Sequence, residues 1–319
     1  MFFIQARLPY VCTRSPLSGG TIKPVVMKRL IYYALFAALA LPLVGCSVRE
    51  IRENCLAPVT IHVSDFSRSL EDIPQTKATA IGDNSGIKSI ILAFYDGNNV
   101  ETYKATQLRD DPTTYTTFGE FSCALPYGTY TMVVLGYGYT PDDVITLTSP
   151  TLAQFSKGRV MDTFAATQSV TVSDSEALDL TATLNRAVAR LKVISTDNRA
   201  ANADSVRVTF SGGAKAFNPS TGLSTSNTGF SNTVGIGSAV GERTGSLSYL
   251  FLNSDEQTLD VTIETLNSAG TVLFRKTVSN VPFQRNRQTK LSGAMYSSAS
   301  SAGSFQLNDT WLTDTSVSF

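Results

Sequence analysis

The sequence predicts an all-β protein built from two β-sandwiches in tandem. Three observations carry that expectation. Short apolar segments alternate with polar residues at period two, as strands with one covered face do. Clusters of Gly, Asn, Asp, Ser and Thr separate them, in the composition that turns demand. No segment after residue 45 keeps a helical period over several turns. The chain has 319 residues. About 270 of them follow Cys46, enough for two ordinary domains and too many for one small sandwich.

The first elements are an address rather than a fold. Met27-Lys28-Arg29 opens a charged start, Leu30 to Val44 is apolar, and Leu43-Val44-Gly45 precedes Cys46. That is the order of parts in a bacterial secretory signal. The apolar run is about 15 residues, against about 20 needed to cross the hydrocarbon core, so a retained membrane helix is the weaker alternative. A cysteine directly after the cut resembles a lipobox. The resemblance implies a lipoprotein whose mature chain starts at Cys46, acylated on its thiol and held on the outer membrane. Residues 1–26 then read as an untranslated extension, 27–45 as the signal peptide and 46–57 as a polar tether.

The first sandwich is expected over 58–182. Val59, Ile61 and Val63 share one face of a strand that follows Pro58. Ile87 to Tyr95 is apolar on both faces at its centre, as an inner strand should be, and Asp96-Gly97-Asn98-Asn99 ends it in a turn. Pro126-Tyr127-Gly128-Thr129-Tyr130 reads as a turn feeding the strand to Leu135, with Tyr130, Met132 and Val134 on one face. This pattern resembles that of transthyretin-like sandwiches. Val170-Thr171-Val172 and Leu178-Asp179-Leu180 are short strands.

The second sandwich is expected over 183–319. Leu184 to Ile194 fits a helix face through Leu184, Val188 and Leu191, but its alternation and valine-rich ends favour a strand. Ser205 to Phe210 is a strand, and the Gly/Ser/Thr/Asn-rich stretch from there to about Gly245 reads mostly as loop. Ser246 to Leu252, Leu259 to Thr265 and Thr271 to Arg275 are strands, the last two joined by the hairpin signal Asn267-Ser268-Ala269-Gly270.

Taken in order, these motifs resemble the fimbrillin-like proteins of Bacteroidales, and among them the lipidated FimB-type anchor subunits. The lipobox at Cys46 comes first, then Tyr95-Asp96-Gly97 and Gly128-x-Tyr130. Leu184-x-Arg186-Ala187-Val188-Ala189-Arg190-Leu191 follows, and Val281-Pro282-Phe283-x-Arg285-Asn286-Arg287-x-Thr289-x-Leu291-x-Gly293 precedes Trp311. The resemblance spans Cys46 to Phe319. It implies two transthyretin-like domains, other fimbrial subunits as partners, and assembly by strand donation. In that scheme a trypsin-like protease removes a first strand, and a neighbour's terminal strand fills the groove. Arg68 or Lys77 could mark the cut. The tail, with period-two apolar residues at Phe305 and Leu307 and at Val317 and Phe319, is either the donor or the last strand of its own sandwich.

Catalytic chemistry finds little material. His62 is the only histidine, which removes histidine triads and multi-histidine zinc sites unless it takes part. Its neighbours place it on the polar face of a strand. Gly235-x-Gly237-x-x-x-Gly241 has its third glycine one residue late for a nucleotide loop and no βαβ unit around it. Asp110-Asp111 and Asp142-Asp143 could serve a glycosidase, but both sit in turn sequences. Asp204-Ser205-Val206 fits a short O-glycosylation pattern, and Arg285-Asn286-Arg287 could hold an anion or simply turn the chain. No cofactor or metal is expected.

Charge and cysteine content limit the partners further. Lys plus Arg and Asp plus Glu number 26 each, so no net field recruits nucleic acid. With Cys46 acylated and Cys12 upstream of Met27, Cys55 and Cys123 remain; an oxidising compartment permits a bridge, and two buried thiols are the alternative. The function expected is a non-catalytic surface subunit or anchor of a fimbrium. The alternative is a surface adhesin that captures host protein or glycan without polymerising, through aromatics such as Tyr137 and Tyr139.

Overall fold

Hydrophobic residues at alternate positions, each needing a covered face, set the layers of this protein. A computed structural model describes residues 56–64, 86–173, 177–297 and 306–308. The expected lipidation site Cys46, Cys55 and the rest of the tether before residue 56, Arg68, Lys77, Val317 and Phe319 lie outside the described residues, whereas Leu56 and Ala57, expected to end the tether, open the first strand instead.

Among the described residues the first half carries nine strands: β1 (Leu56–Ser64), β2 (Ser89–Tyr95), β3 (Glu101–Leu108), β4 (Glu120–Pro126), β5 (Gly128–Tyr137), β6 (Val144–Ser149), β7 (Leu152–Lys157), β8 (Thr163–Val172) and β9 (Leu178–Thr183). The second carries β10 (Asn185–Arg186), β11 (Ala189–Asn198), β12 (Ser205–Phe210), β13 (Ala216–Phe217), β14 (Phe230–Gly235), β15 (Arg243–Leu250), β16 (Glu256–Leu266), β17 (Val272–Gln284), β18 (Gln288–Gly293) and β19 (Gln306–Asn308). A short 3-10 turn, Pro112–Thr114, is capped by the Asp111 side chain.

The all-β expectation holds, and the two sandwiches share one topology. In the first, the sheet β4-β1-β9 faces the sheet β10-β8-β5-β2-β3. In the second, β15-β11-β18-β19 faces β14-β12-β16-β17. The order then repeats over seven strands, with β10 and β19 as edge additions: β1 and β11 each lie between an antiparallel neighbour (β4, β15) and a parallel one (β9, β18). Facing them, β3-β2-β5-β8 matches β14-β12-β16-β17.

β2 is buried at every position because its sheet is a middle layer. Ile90, Leu92 and Phe94 face the first sandwich core with Met132 and Val134 of β5. Ile91, Ala93 and Tyr95 face a third layer, the sheet β13-β7-β6, together with Val133, Leu135 and Tyr137. That outer core also takes Ala187, Val188, Phe217 and Phe251 from the second half, with Phe217 and Phe251 stacked at 4.1 Å. β10 returns to pair with β8, and β13 with β7, so strands from beyond residue 183 complete sheets of the first half.

Several turns follow their sequence signals. Tyr130 donates its hydroxyl to the Pro126 carbonyl at 2.8 Å, tying the strand start to the turn before it. Gly136 is required by a close approach: a Cβ there would stand 2.9 Å from Leu184 Cδ1 and 3.2 Å from Ile87 Cδ1. In the Asn267–Gly270 hairpin, Asn267 Oδ1 accepts from the Ala269 and Thr271 amides, with Gly270 at φ 77°. Leu184 to Ile194 holds two successive strands in different sheets, β10 and the start of β11, rather than a helix. The stretch expected as loop before Gly245 contains β13 and β14. β14 escapes an apolar period because its one fully buried residue is Asn232, which donates to the Tyr249 carbonyl and accepts from the Val160 amide.

Candidate functional site

β1 is the first strand described in the chain and the middle strand of its sheet, so two backbone ladders hold it. Its antiparallel register on β4 runs from Leu56 opposite Pro126 to His62 opposite Glu120. Its parallel register on β9 runs from Val59 beside Leu178 to Ser64 beside Thr183. Ala57, Val59, Ile61 and Val63 point inward and are at most 5% exposed. Burying Val59, Ile61 and Val63 contributes about 1.5–3 kcal/mol each. That sum is comparable with the whole stability of an ordinary domain, about 5–15 kcal/mol. Without a strand in this place, β4 and β9 would each present an unpaired edge over an open core.

On the outer face of β1, His62 bridges its two neighbours: Nε2 stands 3.2 Å from Asp179 Oδ1 and Nδ1 3.6 Å from Glu120 Oε1. The expectation of a surface histidine on a polar face is met. Cys123, opposite Val59 on β4, is half-buried against the same core, and burial pushes its thiol up to about 11. That keeps it protonated and poorly nucleophilic.

The aromatic pair proposed for glycan capture is not a platform. Tyr137 is 2% exposed and ends β5, edge-on to Phe155 at 5.8 Å and to Tyr139 at 6.2 Å. The β13-β7-β6 layer covers the Tyr137 ring, while Gly136 backs onto Leu184 and Ile87 of the first core on the other face.

The paired acids have structural tasks. Asp143 is 3% exposed, where a solvated turn was expected. It takes the Arg159 guanidinium on both oxygens, with Nη2 at 2.9 Å from Oδ2, and also the Arg159 amide and the Thr140 hydroxyl. Burial raises its carboxyl, but these donors outweigh it and hold the group below the usual range. Asp142 is exposed and pairs with Lys157 at 3.3 Å. Asp111 caps its 3-10 turn, and Asp110 lies 3.8 Å from Lys88. Gly235 to Gly241 forms the connection between β14 and β15. Ser205 opens β12, part-buried, opposite Leu266 of β16. Among the described residues, no three His, Cys, Asp or Glu side chains come together in a way that could hold a metal ion.

Two sites went unread in the sequence. Asp197, at the end of β11, accepts the amides of Met295, Tyr296 and Ser297 and the Ser297 hydroxyl, pinning the chain just after β18. Burial raises its carboxyl, and the four donors more than reverse that. Glu264, 3% exposed, accepts from Arg207 at 2.5 Å and Arg275 at 2.6 Å across three strands. Each is one polar residue in a strand-like context, and only the register supplies its partners.

The chain belongs to the family of unknown function DUF6562, whose model matches residues 59–315. Among curated proteins none matches it. Among solved structures it is similar to a candidate adhesin from Bacteroides ovatus, at 9% identity and TM-score 0.47, covering 75% of this chain and 89% of that one. It is also similar to the fimbrial anchor protein Mfa2 from Porphyromonas gingivalis, at 10% identity and TM-score 0.44, covering 80% and 98%. A third is a fimbrial assembly protein from Parabacteroides distasonis, at 13% identity and TM-score 0.38, covering 80% and 99%.

Proposed function

We propose that this chain is a non-catalytic surface subunit or anchor of a fimbrium, lipid-anchored through Cys46 and joined to its neighbours by strand donation. Its division would be a 58–182 sandwich and a 183–319 sandwich, and its partners other fimbrial subunits. The observation that carries the reading is the place of β1. The strand nearest the start of the mature chain fills the centre of a sheet, and the segment that ties it to β2 contains Arg68 and Lys77. A cut after either would sever β1 from the rest of its sandwich, leaving a slot with apolar pockets at every second position and two ladders to complete. An extended strand from a neighbour satisfies both needs at once.

The donor in this scheme is the tail from Phe305 to Phe319. Gln306–Asn308 pairs with β18 in the isolated chain, so that part serves its own sandwich until a neighbour competes for it. Val317 and Phe319 are the residues assigned to the neighbour's slot. Replacing both with Asp would put charges in an apolar groove, at several kcal/mol for unpaired burial. The monomer should stay folded while polymer formation falls. Loss of monomer folding would return the tail to its own domain, and normal polymers carrying both changes would exclude it as donor.

The deciding experiment is to purify surface fimbriae and read this chain's amino terminus by mass spectrometry. A start at Ser69 or Ala78 within polymers marks a processed stalk subunit. One lipidated copy starting at Cys46, at one end, marks an anchor of the FimB type. Absence from fimbriae, with surface retention unchanged in Cys46→Ala, defeats the proposal.

A further inference from the structure

A cleft of about 580 Å³ lies where the two halves of the chain meet. β8 and β10 form one wall, and the turns 218–222 and 284–287 the others. Three guanidinium-bearing residues, Arg186, Arg285 and Arg287, line it against a single carboxylate, Asp255. Arg186 is balanced by Asp162 and Arg285 by Asp255, so the cleft presents paired guanidinium groups rather than a bare positive field.

The three arginines are not equivalent. Arg186 is committed to the fold: it grips Asp162 with Nε at 2.8 Å and Nη2 at 3.2 Å, donates to Asn286 Oδ1 at 2.9 Å, and lies 4.6 Å over Phe164. Arg285 is held differently. Its Nη1 donates to the Thr221 carbonyl at 2.7 Å, and its Nη2 pairs with Asp255 at 2.6 Å. The Asp255 side chain is 68% exposed, so that ion pair is screened and cheap to exchange.

The wall beside Arg285 is preformed. Asn218 Oδ1 accepts from the Ser220 amide and hydroxyl, and its carbonyl accepts the Gly222 amide. Gly222 adopts φ 72°, and a Cβ there would stand 2.6 Å from Arg285 Nη1. A bare glycine is what allows the guanidinium to lie in the cleft.

We propose that this cleft binds carboxylated saccharides of the uronic-acid class. Arg285 holds the carboxylate by exchanging Asp255 for the ligand, and Gln284 and Ser220 meet the ring hydroxyls as donors or acceptors. The volume suits a ligand of two or three sugar rings. Neutral sugars are disfavoured because no aromatic side chain lines the cleft to stack on. A peptide is disfavoured because the apolar lining is three alanines and Pro219, which form no pocket for an anchoring side chain. The cleft is separate from the β1 slot, and neither proposal rests on the other.

The test is calorimetric titration of the full chain in detergent with trigalacturonate, beside maltotriose, inorganic phosphate and hexaglutamate. Trigalacturonate should bind with an affinity that falls as salt rises. Arg285→Ala should weaken it at least about tenfold, as expected for a charge-assisted contact. Ser220→Trp, at an exposed turn position, should block it while the circular dichroism melt stays unchanged. Equal binding of maltotriose, equal binding of phosphate, tighter binding of hexaglutamate, or no heat with trigalacturonate at about 1 mM would each overturn the assignment. Unchanged affinity in both folded variants would overturn the location.

Discussion

The two sandwiches share a topology and differ in how their first strands are tied. β1 and β11 occupy the same place, between an antiparallel and a parallel neighbour. β1 is joined to β2 through 65–88, with Arg68 and Lys77 inside it, whereas β11 reaches β12 through 199–204. The basic residue of that short link is occupied: Arg199 donates to the Ala203 carbonyl at 2.8 Å and to the Ser238 carbonyl at 2.5 Å. Under the proposed strand donation the first sandwich gives up its first strand and the second keeps its own, so that one strand order would serve two mechanical roles.

The largest expected effect tests that difference directly. Deleting 56–64 should abolish cooperative unfolding of the first sandwich, and a synthetic peptide of that sequence should restore it in trans. Deleting 189–198 should leave a chain that its own peptide does not rescue. Recovery of a cooperative melt in both cases, or in neither, would remove the distinction.

Next in size is the filling of the slot. Ile61→Ala empties a fully buried position and should cost about 2–5 kcal/mol in urea unfolding. Leu247→Ala, on the outer face of β15 and 37% exposed, should stay within about 0.5 kcal/mol. Similar losses at the two positions would mean that the core does not dominate as drawn.

A smaller effect belongs to the second sandwich alone. Asp197→Ala removes the acceptor for three amides and a hydroxyl, and should cost roughly 1–3 kcal/mol. Its carboxyl sits below the ordinary value in the folded state, so the sign follows from linkage. The contribution is fully present above the unfolded aspartate range and is lost as pH falls through and below it. Thermal melts of wild type and Asp197→Ala should therefore converge in acid; a gap that persists there would mean the aspartate acts through packing instead.

The smallest expected effect is at the seam of the slot. His62 touches Glu120 and Asp179 on the outer face, where water reaches all three side chains. His62→Gln should change stability by no more than about 1 kcal/mol. A larger loss would make this bridge, rather than the apolar face, the main retention of β1.

Much of the architecture was legible because local chemistry and tertiary demand agreed. Val59, Ile61 and Val63 alternate in a strand that has one covered face, and the two apolar faces of Ile90 to Tyr95 fit a middle layer. Asn267 to Gly270 carries the turn chemistry its hairpin uses. β14 was unreadable because its one fully buried residue is an asparagine satisfied by backbone groups distant in sequence. Tyr137 looked like a loop aromatic beside glycines; the third layer covers its ring, and Gly136 is small because Leu184 and Ile87 close on it from the other face.

By itself the sequence determined the class of fold, the position of most strands, the scarcity of catalytic groups and the expected address at Cys46. All of these follow from composition and from short-range periodicity, where each residue's preference concerns its immediate neighbours. The tertiary structure decided that β1 is central, that the two sandwiches repeat one strand order, and that Arg285 and Arg287 border a cleft with β8 and β10. Those are facts of register and of contacts between residues far apart in sequence. No local preference encodes them, because a strand's alternation fixes which face is buried and says nothing about which strands lie on either side.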